Sequence, residues 1–202
     1  MNQIIKNTII LFIITLISGL LLGGVYEMTK DARAEQERKT TEKAYKTVFN
    51  DADSFEEVKL DEKAVKECLA DGGYSESVAY INGVVEAKSS SGESLGYVIT
   101  VTDKNGYGGD IKFTMGIKAD GTINGIEFLT LDETAGMGMK AKDDSFKKQF
   151  EGLNANEYDC SVDSFSNNGI DAISGATITT KAVTNGLSAG VLCFGYLTGG
   201  AS

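Results

Sequence analysis

Apolar and polar residues alternate along this chain with different periods in different stretches. From Thr8 to Tyr26 no side chain is charged and Ile and Leu dominate. These about 19 residues, at ~1.5 Å rise each, nearly match a hydrocarbon core of ~30 Å. The pattern predicts a membrane-spanning helix. The alternative is a cleaved signal peptide, for which Ser18-Gly19 and Gly23-Gly24 supply small residues. Lys6 precedes the run and Lys30, Arg33, Arg38 and Lys39 follow it, so positive charge does not decide the orientation. Glu27 to Phe49 is polar and rich in helix formers, with Ala44 and Val48 one turn apart, which predicts continuation into an exposed amphipathic stalk.

Shorter periods follow. Asp61 is placed to cap a helix through Leu69 that Gly72-Gly73 would close. Ser77 to Lys88 alternates around Asn82-Gly83, a pair that predicts a two-residue hairpin turn. Strands are expected over Leu95 to Thr102, Ile111 to Ile117 and Thr122 to Leu131, and the short polar links between them imply an antiparallel meander. A short helix is expected over Ser145 to Phe150, with a turn at Asn167-Asn168-Gly169. Beyond Thr177, Val183, Leu187, Val191 and Phe194 recur every three or four residues, the stripe of a helix packed on a sheet. Gly186 and Gly190 leave a second membrane helix as the alternative, though Lys181 and Asn185 shorten its uncharged run. The fold class is therefore α+β: an antiparallel sheet with packed helices behind one N-terminal transmembrane helix. Its expected segments are an anchor over 1–26, a helical stalk and lead-in over 27–75, and a folded domain over 76–202.

Composition narrows the chemistry. The 202 residues carry 19 basic and 29 acidic side chains, a formal charge of −10, which argues against a nucleic-acid surface. Histidine is absent, so His-based triads, His-rich zinc sites and imidazole proton shuttles are excluded. Cys68, Cys160 and Cys193 form no CxxC pair, which argues against a metal or iron–sulfur site. Electron chemistry would then need a bound organic cofactor. No acid, base or nucleophile of a complete catalytic site is evident, so no residue is assigned as catalytic.

Two stretches carry candidate chemistry. Asp171-Ala-Ile-Ser-Gly-Ala-Thr-Ile-Thr-Thr180 crowds small and hydroxyl residues where the last helix begins. A helix start presents unpaired N–H groups and the positive end of the macrodipole, which suits phosphate. The plain alternative is an ordinary N-cap by Ser174 or Thr177. Asp132-Glu-Thr-Ala-Gly-Met-Gly138 follows the strongest strand. It is either a simple strand-to-helix connection or a loop whose glycines bring backbone close to a flat ligand.

Asp171, Ser174-Gly175-Ala176-Thr177 and Thr179 resemble the flavinylation motif of the FMN-binding domains in Rnf and Na⁺-translocating NADH:quinone reductase complexes. The Glu133 loop is similar to the Glu-Thr-Pro-Gly-Leu-Gly loop of that family, with Ala135 for proline and Met137 for leucine. Tyr107-Gly108-Gly109 resembles its Gly-Tyr-Gly-Gly turn. The resemblance spans the chain, and length favours the RnfG branch over the usually longer quinone-reductase branch. It implies FMN held covalently by a phosphodiester on Thr177, attached by a separate flavin transferase. Asp171, Ser174, Gly175 and Ala176 would form the rest of the motif, and Glu133, Thr134, Gly136, Met137 and Gly138 the walls of the flavin site. The implied role is electron relay in an ion-translocating ferredoxin:NAD⁺ oxidoreductase, among other Rnf-type membrane subunits. The chain would be a single-pass cell-membrane protein, N-terminus inside and domain outside. Two alternatives stand beside it: a related flavin domain of a quinone-linked or extracellular electron-transfer system, and a non-redox anchored extracytoplasmic binding domain. If the domain is exported, Cys68 and Cys160 are the candidates for a disulfide, leaving Cys193 a buried thiol.

Overall fold

The computed structural model describes residues 2–199. The chain divides into two units, Met1–Thr41 and Glu42–Ser202. The first consists of helix α1, which runs Asn2–Val48 in all. Its most apolar window has a mean hydropathy of 2.5 and buries nothing within the protein. The threonine hydroxyls there are satisfied inside the helix, Thr8 Oγ1 donating to the Ile4 carbonyl at 2.9 Å and Thr15 Oγ1 to that of Phe12 at 2.9 Å. That is what hydrocarbon surroundings demand of a polar group. Among the described residues α1 is the one helix long and apolar enough to cross a membrane. Its polar stretch carries surface ion pairs, Arg38 and Lys39 reaching Glu35 at 3.1 and 3.3 Å.

In the second unit, strands β1 (Ser54–Glu57), β2 (Ala79–Lys88), β3 (Ser94–Asp103), β4 (Ile111–Lys118) and β5 (Ile123–Thr130) form one sheet in the order of the chain. Every neighbouring pair is antiparallel, so the meander is as expected. Helix α2 (Glu62–Asp71) begins at Asp61, whose carboxylate accepts from the Lys63 and Ala64 N–H groups, and Gly72 closes it. A 3-10 turn over Gly138–Lys142, the short helix α3 (Asp144–Lys147) and a 3-10 turn over Lys148–Phe150 lead towards helix α4, Thr177–Thr198.

Asn82-Gly83 is not a hairpin turn. Strand β2 runs straight through it, Ile81 pairing with Val101 and Gly83 with Thr100, so Asn82 is the extra residue of a bulge. Its Oδ1 accepts the Thr102 hydroxyl at 2.7 Å. The ten-residue β3 offers partners along the whole of β2, and pairing along that length outweighs the local turn preference. Strand β1 was not foreseen; Ser-Phe-Glu-Glu has too little alternation to announce a strand.

The two faces of the sheet are covered separately. Ile99, Val101, Phe113, Met115 and Ile117 pack with Val183, Leu187 and Phe194 of α4. Val98 and Ala87 pack on the other side with Val48, Phe49 and Ala52. Helix α4 is a core helix, not a second membrane span. Its glycine pair allows close approach: a methyl on Gly186 would lie 2.9 Å from the Phe113 ring, and one on Gly190 would strike the Met115 sulfur. The polar residues that interrupt its apolar run find partners. Lys181 Nζ meets Asp163 Oδ2 at 2.7 Å, and Asn185 exchanges hydrogen bonds with the Asp163 backbone and carboxylate at 2.9 and 3.1 Å. These contacts hold Asp163 at φ 61°, in the left-handed region. Lys181, followed by Asn185, keeps its carboxyl below the usual range.

All three cysteines are free thiols, so the expected pairing of Cys68 with Cys160 is not made. Cys68 Sγ faces α4, 3.8 Å from the Leu192 carbonyl, and Cys193 is its electrostatic neighbour. Cys160 lies instead beside Tyr74, whose hydroxyl donates to the Cys160 carbonyl at 2.9 Å. Burial pushes the Cys160 and Cys193 thiols up to about 12, which makes both inert near neutral pH.

Candidate functional site

The end of β3, the start of β4, the end of β5 and the start of α4 converge at one end of the sheet, around a cavity of about 490 Å³. Cofactor-sized sites span roughly 300–1,000 Å³. From the turn between β3 and β4 comes Tyr107; from the loop after β5 come Glu133, Thr134, Met137 and Gly138; from the motif and the first turn of α4 come Gly175, Ala176, Thr177, Ile178 and Thr179. Two stretches more than thirty residues apart in sequence thus share one cavity.

Local chemistry explains how the motif reaches that place. The Ala176 N–H donates to the Ile173 carbonyl at 2.9 Å, closing a turn with Gly175 at φ +78°. Only glycine adopts that conformation without cost. Thr180 locks the turn to the helix, its Oγ1 accepting from the Ile173 N–H at 3.0 Å and donating to the Ala176 carbonyl at 3.1 Å. Gln149 holds the other end, accepting from the Asp171 N–H at 2.7 Å and donating to its carbonyl at 3.3 Å.

The start of α4 decides between an ordinary cap and a ligand site. Its N-cap residue is Ala176, and no side chain caps the helix. Ser174 and Thr177 therefore do not act as caps. A 22-residue helix is left with an unsatisfied first turn facing a cavity. That first turn carries roughly half a positive charge, and a phosphate there gains about 0.3–1 kcal/mol when exposed and up to ~2 when partly buried. Thr177, the first helical residue, is exposed, so its hydroxyl is accessible.

On the facing loop, the Met137 and Met139 N–H groups both donate to the Thr134 carbonyl, at 3.1 and 3.2 Å. Met137 Cε comes so near Gly175 that a methyl there would sit 3.3 Å away. Tyr107, Met137 and Ile178 are three of the few large apolar side chains that the second unit exposes, and all three line the cavity. They offer apolar surface to a flat ring, next to a helix start suited to phosphate.

Of the residues expected at the site, Thr177, Gly175, Ala176, Glu133, Thr134, Met137 and Gly138 line this cavity, whereas Asp171, Ser174 and Gly136 do not. Asp171 and Ser174 are exposed beside it. Sequence reasoning missed Ile178 and Thr179 as walls; their position in the first turn of the helix was the available signal. Tyr107 was noted only within its glycine turn. Among the described residues no group of three or more His, Cys, Asp or Glu side chains is arranged to hold a metal. A larger cavity of about 700 Å³ lies between α2 and β2 and includes Tyr74, Tyr80 and Lys104.

Known proteins extend the picture. The FMN-binding domain family model matches residues 106–191, and the RnfG N-terminal region model matches residues 1–48. The chain is 29% identical to the G subunit of the proton-translocating ferredoxin:NAD(+) oxidoreductase complex of Clostridium ljungdahlii, over 98% of this chain and 96% of that protein. It is 31% identical to the G subunit of the Na(+)-translocating ferredoxin:NAD(+) oxidoreductase complex of Acetobacterium woodii, over 96% and 93%. It is also 31% identical to the G subunit of the ion-translocating oxidoreductase complex of Methanosarcina acetivorans, over 94% of each. NqrC of Shewanella oneidensis, a solved structure, aligns with a TM-score of 0.47 at 22% identity over 58% of this chain and 59% of that one, too loosely to add to the fold described above. With relatives matched nearly end to end and an FMN-binding domain built around the cavity, the chain belongs to the RnfG family of ion-translocating oxidoreductase subunits.

Proposed function

We propose that this chain relays electrons within an Rnf-type ferredoxin:NAD⁺ oxidoreductase complex through FMN covalently bound to Thr177. The observation that carries the proposal is the exposed Thr177 at the uncapped start of α4, on the wall of a cavity with apolar sides. In a reaction catalysed by a separate flavin transferase, the Thr177 Oγ1 attacks the FMN phosphorus of a flavin dinucleotide donor. The new O–P bond replaces the donor's P–O–P bond, a nucleoside monophosphate leaves, and the Thr177 proton is released to solvent. The first-turn N–H groups of α4 hold the remaining phosphate charge. Met137, Ile178 and Tyr107 bound the ring, and Gly175 and Ala176 let it approach the backbone. Thr134 and Gly138 complete the loop wall; Gly136, at φ +76°, shapes that loop from outside the cavity. When bound, the flavin supplies the redox chemistry that no side chain here provides.

Asp171 and Ser174, exposed beside the cavity, are the surface that the transferase reads. The segments act as an anchor over 1–26, a stalk and lead-in over 27–75 and a flavin domain over 76–202, with the domain on the extracytoplasmic face. Other Rnf membrane subunits deliver and accept the electrons, and the membrane keeps the chain at high effective concentration beside them. Co-expression of the full-length chain with a flavin transferase, followed by a denaturing gel, tests the reading. In-gel flavin fluorescence is expected for the native sequence and not for Thr177→Val; fluorescence retained by that variant would overturn the attachment site.

A further inference from the structure

The carboxylate of Glu133 does not simply face the cavity that its residue helps to line. Oε1 accepts the Tyr107 N–H at 2.8 Å. A methyl on Gly106 would lie 3.0 Å from the same oxygen. Oε2 lies against Gly138, which also borders α4: a methyl on Gly138 would lie 2.7 Å from Oε2 and 2.6 Å from Thr179 Oγ1. The Tyr107 turn is also pressed against this loop, since a methyl on Gly108 would strike the Asp132 carbonyl. Two glycines, Gly106 and Gly138, thus leave room for one carboxylate, which sits where the β3–β4 turn and the loop after β5 meet, close to the first turn of α4. A hydrogen bond to an ionised acceptor is worth about 1.5–3 kcal/mol, against ~1 for a neutral pair. That is enough to help hold a glycine-rich turn.

We infer that Glu133 is a positioning residue, a clamp that holds the Tyr107 turn against the loop after β5 and so fixes the apolar wall of the cavity. It shapes the site through Tyr107 and does not act on the ring. The inference rests on the flavin reading for the consequence at the cofactor, but the clamp itself exists in the apoprotein and is testable there. Glutamine keeps an acceptor oxygen for the Tyr107 N–H without the charge; alanine removes both.

The test uses the full-length chain in detergent, labelled with [¹⁵N]tyrosine, with the Tyr107 amide assigned through Tyr107→Phe. In the apoprotein, Glu133→Ala is expected to speed amide exchange at Tyr107 by about tenfold or more, the factor that ~1.4 kcal/mol supplies. Glu133→Gln should stay within about threefold of the native rate. In flavinylated protein, Glu133→Ala should lower the fluorescence anisotropy of the flavin, while Glu133→Gln restores it and leaves the midpoint potential near its native value. Native exchange in Glu133→Ala would overturn the clamp. Faster exchange with unchanged anisotropy would overturn its role at the site. A large potential shift in Glu133→Gln with normal exchange would show the charge acting on the ring directly, which also contradicts the inference. Absence of flavin from the native protein would count against the attachment reading alone, because the exchange experiment needs no cofactor.

Discussion

Helices α1 and α4 share a sequence signature and meet opposite surroundings. Both are long and apolar and both carry glycines four residues apart, Gly19 and Gly23 in α1 and Gly186 and Gly190 in α4. In α1 a methyl on either glycine would meet nothing within 4 Å. In α4 the same addition runs into Phe113 and Met115. The difference lies in the residues between. The apolar run of α1 has no charged or amide side chain, and its two threonine hydroxyls bond within the helix. In α4, Lys181 and Asn185 reach across to Asp163, and Val183, Leu187 and Phe194 face an apolar sheet. Composition and glycine spacing alone do not separate a membrane helix from a core helix; the placement of polar residues that need partners does.

That contrast predicts a graded set of outcomes. Gly190→Leu should destabilise the second unit most, by about 3 kcal/mol or more, because the leucine must displace Met115 from a filled core. Gly23→Leu should leave the denaturant midpoint of that unit unchanged, and an equal loss from both would break the comparison. Next comes Asp103, which is fully buried at the end of β3, with Oδ1 accepting the Asn105 N–H at 2.8 Å and Oδ2 without a partner. Burial, aided by the nearby Asp110 and Asp163, raises its carboxyl to about 7. The folded state therefore holds a proton that the unfolded chain has released. The corresponding stability is fully present below pH ~4 and is lost as pH rises towards 7. Asp103→Asn should flatten this part of the pH dependence and stabilise the protein above pH 7 by roughly 1–3 kcal/mol. Chemical denaturation at about pH 5 and about pH 8, on either side of that value, measures it; a variant with the native pH slope would show that Asp103 is not buried as described.

Smaller effects belong to the N-terminal end of α4. Ala176→Ser supplies the missing cap and should stabilise the apoprotein by about 1 kcal/mol, while slowing flavinylation by competing for the first-turn N–H groups. Unchanged stability in thermal melts would mean that those groups are already satisfied. Lys181→Ala removes an ion pair whose side chains are about 40% exposed, so its cost should be near ~0.5 kcal/mol. A loss several times larger would show that holding Asp163 at its positive φ matters more than the exposed charge pair.

The α+β class, the meander and both motifs were legible in the sequence because they rest on local features: alternation from Leu95 to Leu131, Asp61 before a helix, hydroxyls and glycine ahead of α4. Features set by tertiary partners were not legible. Asn82-Gly83 carries the local signature of a turn, yet the length of β3 makes it a bulge. Strand β1 exists because β2 offers an edge, and not because Ser54–Glu57 has a pattern of its own. Cys68 faces α4 rather than Cys160, a relation that sequence separation does not reveal. At the candidate site the motif residues were readable individually, but the convergence of Tyr107, Glu133 and Thr179 around Gly106 and Gly138 depends on three separate segments meeting.

Intact mass of the full-length chain, co-expressed with a flavin transferase, tests the central proposal most directly. The native protein should be heavier than the chain expressed alone by one FMN less one water. Thr177→Val should remain at the unmodified mass while keeping the native denaturant midpoint. A native protein that stays at the unmodified mass, or a Thr177→Val variant that still gains the increment, would contradict the account.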